Sequence, residues 1–155
     1  MNNAAYKKLD YSLALVSTAE GGKNYGCIIN SLHQVTSSRP PRFPLWLTNA
    51  SAPCAALKKS GVAAVTLLAK DAEDKVVNEF GYKSGRAIDK FAAFPFETDG
   101  QGCPYLKDGM VSRLSFKVTE AVAIGSYTLF ICELLDAEVL GDGDCLTVKE
   151  FEKRG

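Results

Sequence analysis

The stretch FGYKSGRAIDKF (80–91) sets three cations, two glycines and a serine hydroxyl between two aromatic ends. Lys83, Arg86 and Lys90 are too few and too local for a nucleic-acid surface, but they suffice for one anionic group. A phosphate monoester asks for backbone N–H groups, hydroxyls and a guanidinium that donates twice. Gly85 lets the backbone approach closely, Ser84 offers a hydroxyl and Arg86 offers the fork. Lys90 follows Arg86 by about one helical turn, on the same side. The pattern is neither a P-loop nor a GxGxxG fingerprint. Taken alone, it also reads as a solvated loop after a helix, its phenylalanines serving as core anchors.

A second polar cluster bears on that choice. CIINSLHQVTS places Asn30, Ser31, Gln34, Thr36 and Ser37 at a strand end, and LTNASAP places Thr48, Asn49 and Ser51 at the next. With an apolar wall, such groups meet the needs of an isoalloxazine: amide partners for the pyrimidine edge and hydroxyls toward a phosphate. The plainer reading is turn and cap chemistry.

Other reactive residue types offer less. The five cysteines show no CxxC spacing, and His33 is the single histidine, so no metal site is expected. His33 reads as a strand residue used for packing or surface hydrogen bonding. Cys27 and Cys54 lie near the polar clusters but have no paired base to make either a nucleophile. Trp46, in PLWLTN, reads as barrel core rather than as a stacking plate.

The elements that must position these groups belong to one domain spanning 1–155. A chain of 155 residues with 46% hydrophobic and 23% charged residues can bury a real core. Eighteen cations balance eighteen anions, which leaves no global field for nucleic acid or an anionic membrane. The odd cysteine count, the lack of an apolar leader and the absence of any long apolar window lead to the expectation of a cytoplasmic protein with no membrane span.

YSLALVST and YGCIIN, joined by AEGGKN, read as a β-hairpin over 11–30, with LHQVTSS continuing the second strand past a bend. RFPLWLTN reads as a strand whose Pro44 favours an edge or bulge. Ser51 caps a short helix over 52–59, with Pro53 in its first turn and Gly61 just past its end. VAAVTLLA is a buried strand. Val76, Val77 and Phe80 share one face of a second helix, with Gly81 at the C′ position. From 109 to 140 the pattern is β again: a hairpin turning at Gly125 and Ser126, with Val111, Leu114, Phe116 and Val118 inward. The fold class expected is mainly β, a barrel with short flanking helices.

In order and in detail, YSLALVST, NYGCIINSLHQVTSSRPP, GVAAVTLL, FGYKSGRAIDKF, GCPYL and GSYTLFICELLDAEVL resemble the flavin reductase-like family. The likeness is to its FMN-binding split barrels, including flavoredoxin and the flavin domain of high-molecular-weight rubredoxin, and it covers nearly the whole chain. It implies a homodimeric split β-barrel holding FMN near the dimer interface. Asn30, Ser31, Gln34, Val35 and Thr36 would line the flavin ring, with Thr48, Asn49 and Ser51 by the ring edge or ribityl chain. Ser84, Gly85, Arg86 and Lys90 would hold the phosphate. NADH or NADPH would be the electron donor, and a small molecule or a separate rubredoxin-like or other redox protein the acceptor. One departure matters. Many relatives carry histidine in a G-x-H-T-L-F-I-G-E motif on the nicotinamide side, where this chain has Tyr127, with Cys132 at the later glycine. A phenol still stacks and donates a hydrogen bond but shuttles protons poorly at neutral pH, which weakens the expectation of fast NAD(P)H oxidation.

Three rivals stand beside an FMN-dependent reductase. One is an electron carrier that holds FMN and is reduced by a protein partner. Another is a flavin-free split barrel with a different ligand, such as haem. The last, a small nucleic-acid-binding barrel, conflicts with the balanced charge.

Overall fold

The computed structural model describes residues 1–83 and 89–155. Its centre is a six-stranded antiparallel sheet of β1 (Ala14–Glu20), β2 (Lys23–Ile29), β3 (Arg42–Thr48), β4 (Val62–Leu68), β7 (Met110–Ile124) and β8 (Tyr127–Val139). The strand order is β2-β1-β4-β7-β8-β3, and a separate two-stranded ladder joins β5 (Glu97–Thr98) to β6 (Pro104–Tyr105). Helices α1 (Ala52–Ser60), α2 (Asp74–Tyr82) and α3 (Val148–Glu152) are short, as is the 3-10 turn Lys90–Ala93. Register shifts between Ser115 and Phe116 and between Val118 and Glu120 bend β7. The sheet curls until its edge strands β2 and β3 approach one another, giving the mainly β, partly open barrel expected of the chain. Among the described residues, no helix is long and apolar enough to cross a membrane.

The β1–β2 hairpin turns on Gly21 and Gly22, both at positive φ. Its first strand does not alternate in burial. Ala14 and Val16 face one core with Leu45, Leu47, Val65, Phe116 and Phe130, while Leu13 and Leu15 face another with Leu68, Val77, Phe80 and Phe91. A strand covered on both faces is apolar throughout, which is why its sequence shows only weak alternation.

Helix α1 follows its local signals. Ser51 accepts a hydrogen bond from Cys54 N, Pro53 lies in the first turn, and Gly61 closes the helix at φ 70°. Pro44 lies on edge strand β3, where a missing N–H costs least.

Two local expectations need correction, and one needs an addition. LHQVTSS is not strand: after Asn30 the chain leaves the sheet, and only an isolated bridge joins Thr36 to Arg42. Gly81 is not a C′ residue, because α2 continues through Tyr82. Its φ is not positive, and an added Cβ would make only ordinary contact, 3.6 Å from Ile28. On β7, Leu114, Phe116 and Val118 do pack against the core, but Arg113 and Ser115 are buried on the other face.

That buried arginine ties the 97–105 segment to the sheet. Arg113 donates to Ser115 Oγ at 2.5 Å, to Asp136 at 2.9 Å and to Glu138 at 3.2 Å. Ser115 donates in turn to Asp99 at 2.6 Å, and the guanidinium lies 5.3 Å from the Tyr105 ring centroid.

Candidate functional site

The curl of the sheet, the N-terminal end of α1, α2 and the C-terminal turn enclose a cleft of about 1010 Å³. Its walls include Asn30 and Ser31 just past β2, Thr48 at the end of β3, Ser51 at the cap of α1, and Tyr127 at the start of β8. Lys90 reaches it from the 3-10 turn. The fold thus brings six of the expected site residues to one cavity, although they are up to 97 positions apart along the chain (30 to 127).

Other expected residues lie off its walls. Gln34 donates from its amide to Thr36 O at 2.7 Å, and Thr36 Oγ1 shares a hydrogen bond with Ser38 at 2.7 Å. Val35 is exposed, its N–H bonded to Arg42 O at 2.8 Å. Asn49 accepts from Thr128 Oγ1 at 2.6 Å and donates to Gly125 O at 3.3 Å, tying the end of β3 to the β7–β8 turn. Ser51 is similarly committed, donating to Thr48 O at 2.9 Å while it caps α1. Ser84, Gly85 and Arg86 lie outside the described residues.

Lys90 is 5% exposed, which is unusual for a lysine. Its ammonium sits 3.4 Å from Gly26 O and 3.4 Å from Phe80 O, both at the long end of hydrogen bonding. Phe80 O belongs to the last turn of α2, where a carbonyl has no partner within the helix. Burial pushes the Lys90 pKa down, against the opposing pull of Cys27 and Glu79. Phe80 and Phe91 meet edge to face at a centroid distance of 5.0 Å beside it, and the ammonium lies 5.9 Å from the Phe80 ring centroid, so among the described residues its partners are two long carbonyl contacts and one ring face.

Cys27 is also on the cleft wall, and burial pushes its thiol up to about 12. It is therefore protonated at neutral pH and no nucleophile, in line with the sequence reading. Cys54 is fully buried. His33 is an exposed loop residue whose Nδ1 lies 3.0 Å from Ser31 O, which makes it surface hydrogen bonding rather than a strand position.

Trp46 is where the sequence reading went wrong. Leu45 and Leu47 point into the core, so Trp46 between them points the opposite way, half-buried, onto the cleft wall. The continuous apolar run FPLWL gave no alternation to reveal it. The reading also missed Tyr82, Phe151 and Arg154 on the far side of the cleft. Arg154 is held by Asp74 at 2.8 Å and by Ala72 O at 2.7 Å. Lys83, at the rim, is paired with Glu79 at 2.7 Å.

In chemical terms the cleft offers an aromatic and aliphatic wall, hydroxyl and amide groups along one side, and a buried ammonium at one end. A planar heteroaromatic ligand with an anionic tail matches that distribution. No group of three or more His, Cys, Asp or Glu side chains suited to a metal occurs among the described residues.

Comparison with known proteins points the same way. The family model described as "Flavin reductase like domain" matches residues 6–149. A ferric-chelate reductase (NAD(P)H) of Archaeoglobus fulgidus is 29% identical over 151 residues, covering 97% of this chain and 89% of that protein. A high molecular weight rubredoxin of Moorella thermoacetica is 28% identical over 157 residues, covering 100% of this chain and 68% of that protein. Among solved structures, an NADH:FAD oxidoreductase of Streptomyces globisporus superposes with a TM-score of 0.82 at 17% identity, covering 92% of this chain and 84% of that one.

Proposed function

Because the chain belongs to the flavin reductase-like family, we propose that it is an FMN-dependent oxidoreductase that takes electrons from NADH or NADPH and passes them to an acceptor. The observation that carries the reading is the convergence of Asn30, Ser31, Thr48, Ser51, Lys90 and Tyr127 on one cleft of about 1010 Å³. A flavin mononucleotide fits the residues present. The half-buried Trp46 and the aliphatic Ile124 offer a wall for the ring, the hydroxyls and amide suit its polar edge and ribityl chain, and Lys90 is a cation whose hydrogen bonds to the described residues are both long.

When bound, FMN supplies a ring that accepts a hydride and releases electrons onward. The chain's own work is to bind, orient and shield. In this reading Ser84, Gly85 and Arg86 hold the phosphate together with Lys90, whose penalty for being charged falls when a dianion arrives. Gln34, Val35, Thr36 and Asn49 contribute through the backbone and by fixing the loops that carry Asn30, Ser31 and Thr48. Tyr127 sits 46% exposed at the cleft mouth, where a nicotinamide would enter, and offers a ring face and a phenol.

The homodimer belongs to the same proposal. Its support is the outer half of the β7–β8 ribbon, where Val122 and Ile124 are exposed next to Tyr127. The cytoplasmic setting is supported by five unpaired cysteines. An electron acceptor resembling rubredoxin is supported by the relative from Moorella thermoacetica.

A second reading is favoured by Tyr127 itself. With a phenol at that position, the protein would hold FMN as an electron carrier reduced by a protein partner. Anaerobic mixing with NADH and with NADPH separates the two. Bleaching of the flavin within seconds supports the reductase, and a flavin that stays oxidised until a redox protein is added supports the carrier. A preparation that neither contains nor takes up FMN would sink both.

A further inference from the structure

We infer that Trp46 forms an aromatic platform against which the planar ring of the bound flavin lies, with Tyr127 at its open edge toward the cleft mouth. This rests on the flavin reading above but adds a binding residue and its role. Trp46 pairs with Leu129 across the β3–β8 ladder, and Thr48 pairs with Tyr127. Paired residues share a face, and residues two apart along a strand share it too. Trp46, Thr48 and Tyr127 therefore stand on one face of this corner of the sheet. Ile124, paired with Tyr127, extends the same surface.

Both rings line the cleft, Trp46 half-buried and Tyr127 exposed. An indole on an edge strand that keeps part of its ring toward a cleft gives a flat ligand an apolar surface to lie on. The hydroxyls of Thr48 and Ser51 lie around the same stretch of wall. That combination of an aromatic face flanked by hydrogen-bonding groups suits a flat heteroaromatic ring with polar edges. A bare lipid chain would make no use of the Thr48 hydroxyl.

Trp46 is the single tryptophan in the chain, so its fluorescence reports this position alone. Apoprotein is titrated with riboflavin and with FMN, which share the ring and differ by the phosphate. Trp46→Leu should raise the dissociation constants of both by the same factor, about tenfold, as loss of one aromatic stacking partner predicts. Trp46→Phe should stay within about threefold of wild type. In the wild type, saturating riboflavin should shield Trp46 from acrylamide, a readout that does not depend on any variant folding.

Equal riboflavin affinity in wild type and Trp46→Leu, with Trp46 still open to acrylamide in the complex, would overturn the platform while leaving the flavin reading intact. So would a Trp46→Leu defect seen with FMN but not riboflavin. Shielding that grows with protein concentration and does not change on saturation with riboflavin would assign the platform to a second copy of this chain and refute the ring contact. Wild type that binds neither flavin would defeat the functional reading, and the platform with it.

Discussion

Substitution of Lys90 separates what the buried ammonium does for the fold from what it does for the ligand. In the fold it has two carbonyl contacts at 3.4 Å, and burial depresses its pKa. A charge-assisted hydrogen bond of good geometry is worth about 1.5–3 kcal/mol. These are long, and desolvation opposes them, so the ammonium's net contribution to stability is close to zero. Lys90→Met, which keeps the stem's length, should therefore stay within about 1 kcal/mol of wild type. Lys90→Ala also removes three buried methylenes at about 0.8 kcal/mol each, a loss of roughly 2–3 kcal/mol. In a domain of this size that is a fall of about 5–10 °C in melting temperature. Both variants should lose about 10–100-fold in FMN affinity, since each removes a cation facing the phosphate. The pH dependence has a definite sign. The folded pKa lies below the ordinary value of 10.5, so between the two pKa values the unfolded chain holds the extra proton and stability rises with pH. Wild type should gain on Lys90→Met as the pH climbs from neutrality toward 10.5. Denaturant melts at several pH values and flavin titration by absorbance measure all of this. A Lys90→Met variant as unstable as Lys90→Ala would show that the ammonium anchors the fold. One that binds FMN like wild type would remove Lys90 from the phosphate end.

Three further outcomes test other parts of the structure. Ser51→Ala should cost about 1 kcal/mol in denaturant melts through loss of the α1 cap, whereas Ser51→Gly should cost only a few tenths. Gly26→Ala would place a methyl 3.1 Å from Phe91 Cε2 and 3.2 Å from Phe80 Cδ1, atoms of two rings already wedged together. Overpacking of about 1–3 kcal/mol should outweigh the roughly 0.5–1 kcal/mol gained by replacing a strand glycine, so its melting temperature should fall. Arg113→Met should destabilise by about 1–2 kcal/mol at neutral pH, a modest loss because solvent reaches both carboxylates. Hydrogen bonding to Arg113 lowers the Asp136 pKa, so the pair's stabilisation is present above the ordinary carboxylate range and fades as pH falls through the depressed value. The gap between wild type and Arg113→Met should therefore narrow in acid. A gap that widens would exclude the ion pair as its origin.

Signals that depend on near neighbours in the chain were readable in advance. The Ser51 cap, Pro53, Gly61 and the two hairpin turns use local backbone geometry, and the structure has each where the residue types put it. The Phe80–Phe91 corner was legible as a pair of core anchors, although Lys90 between them turned out buried rather than solvated. The strand assigned to LHQVTSS failed because its β-branched and polar residues are equally at home in a loop that bonds to itself through Gln34, Thr36 and Ser38. Arg113 went unnoticed for a different reason. A cation inside an alternating strand reads as a solvent position until partners distant in sequence, Asp136 and Glu138, are brought around it.

The amino-acid order alone determined which residue types this protein has for holding an anionic, ring-bearing ligand, and the strands, turns and caps that carry them, because those depend on short-range sterics and hydrogen bonding. Tertiary structure decided which of them meet. It turned Trp46 out of the core and onto the cleft, buried Lys90 against two carbonyls, and set Asn49 to tying loops together. Each of those outcomes depends on which face of a strand the curled sheet covers, and that is settled only when strands far apart in the chain pack against one another.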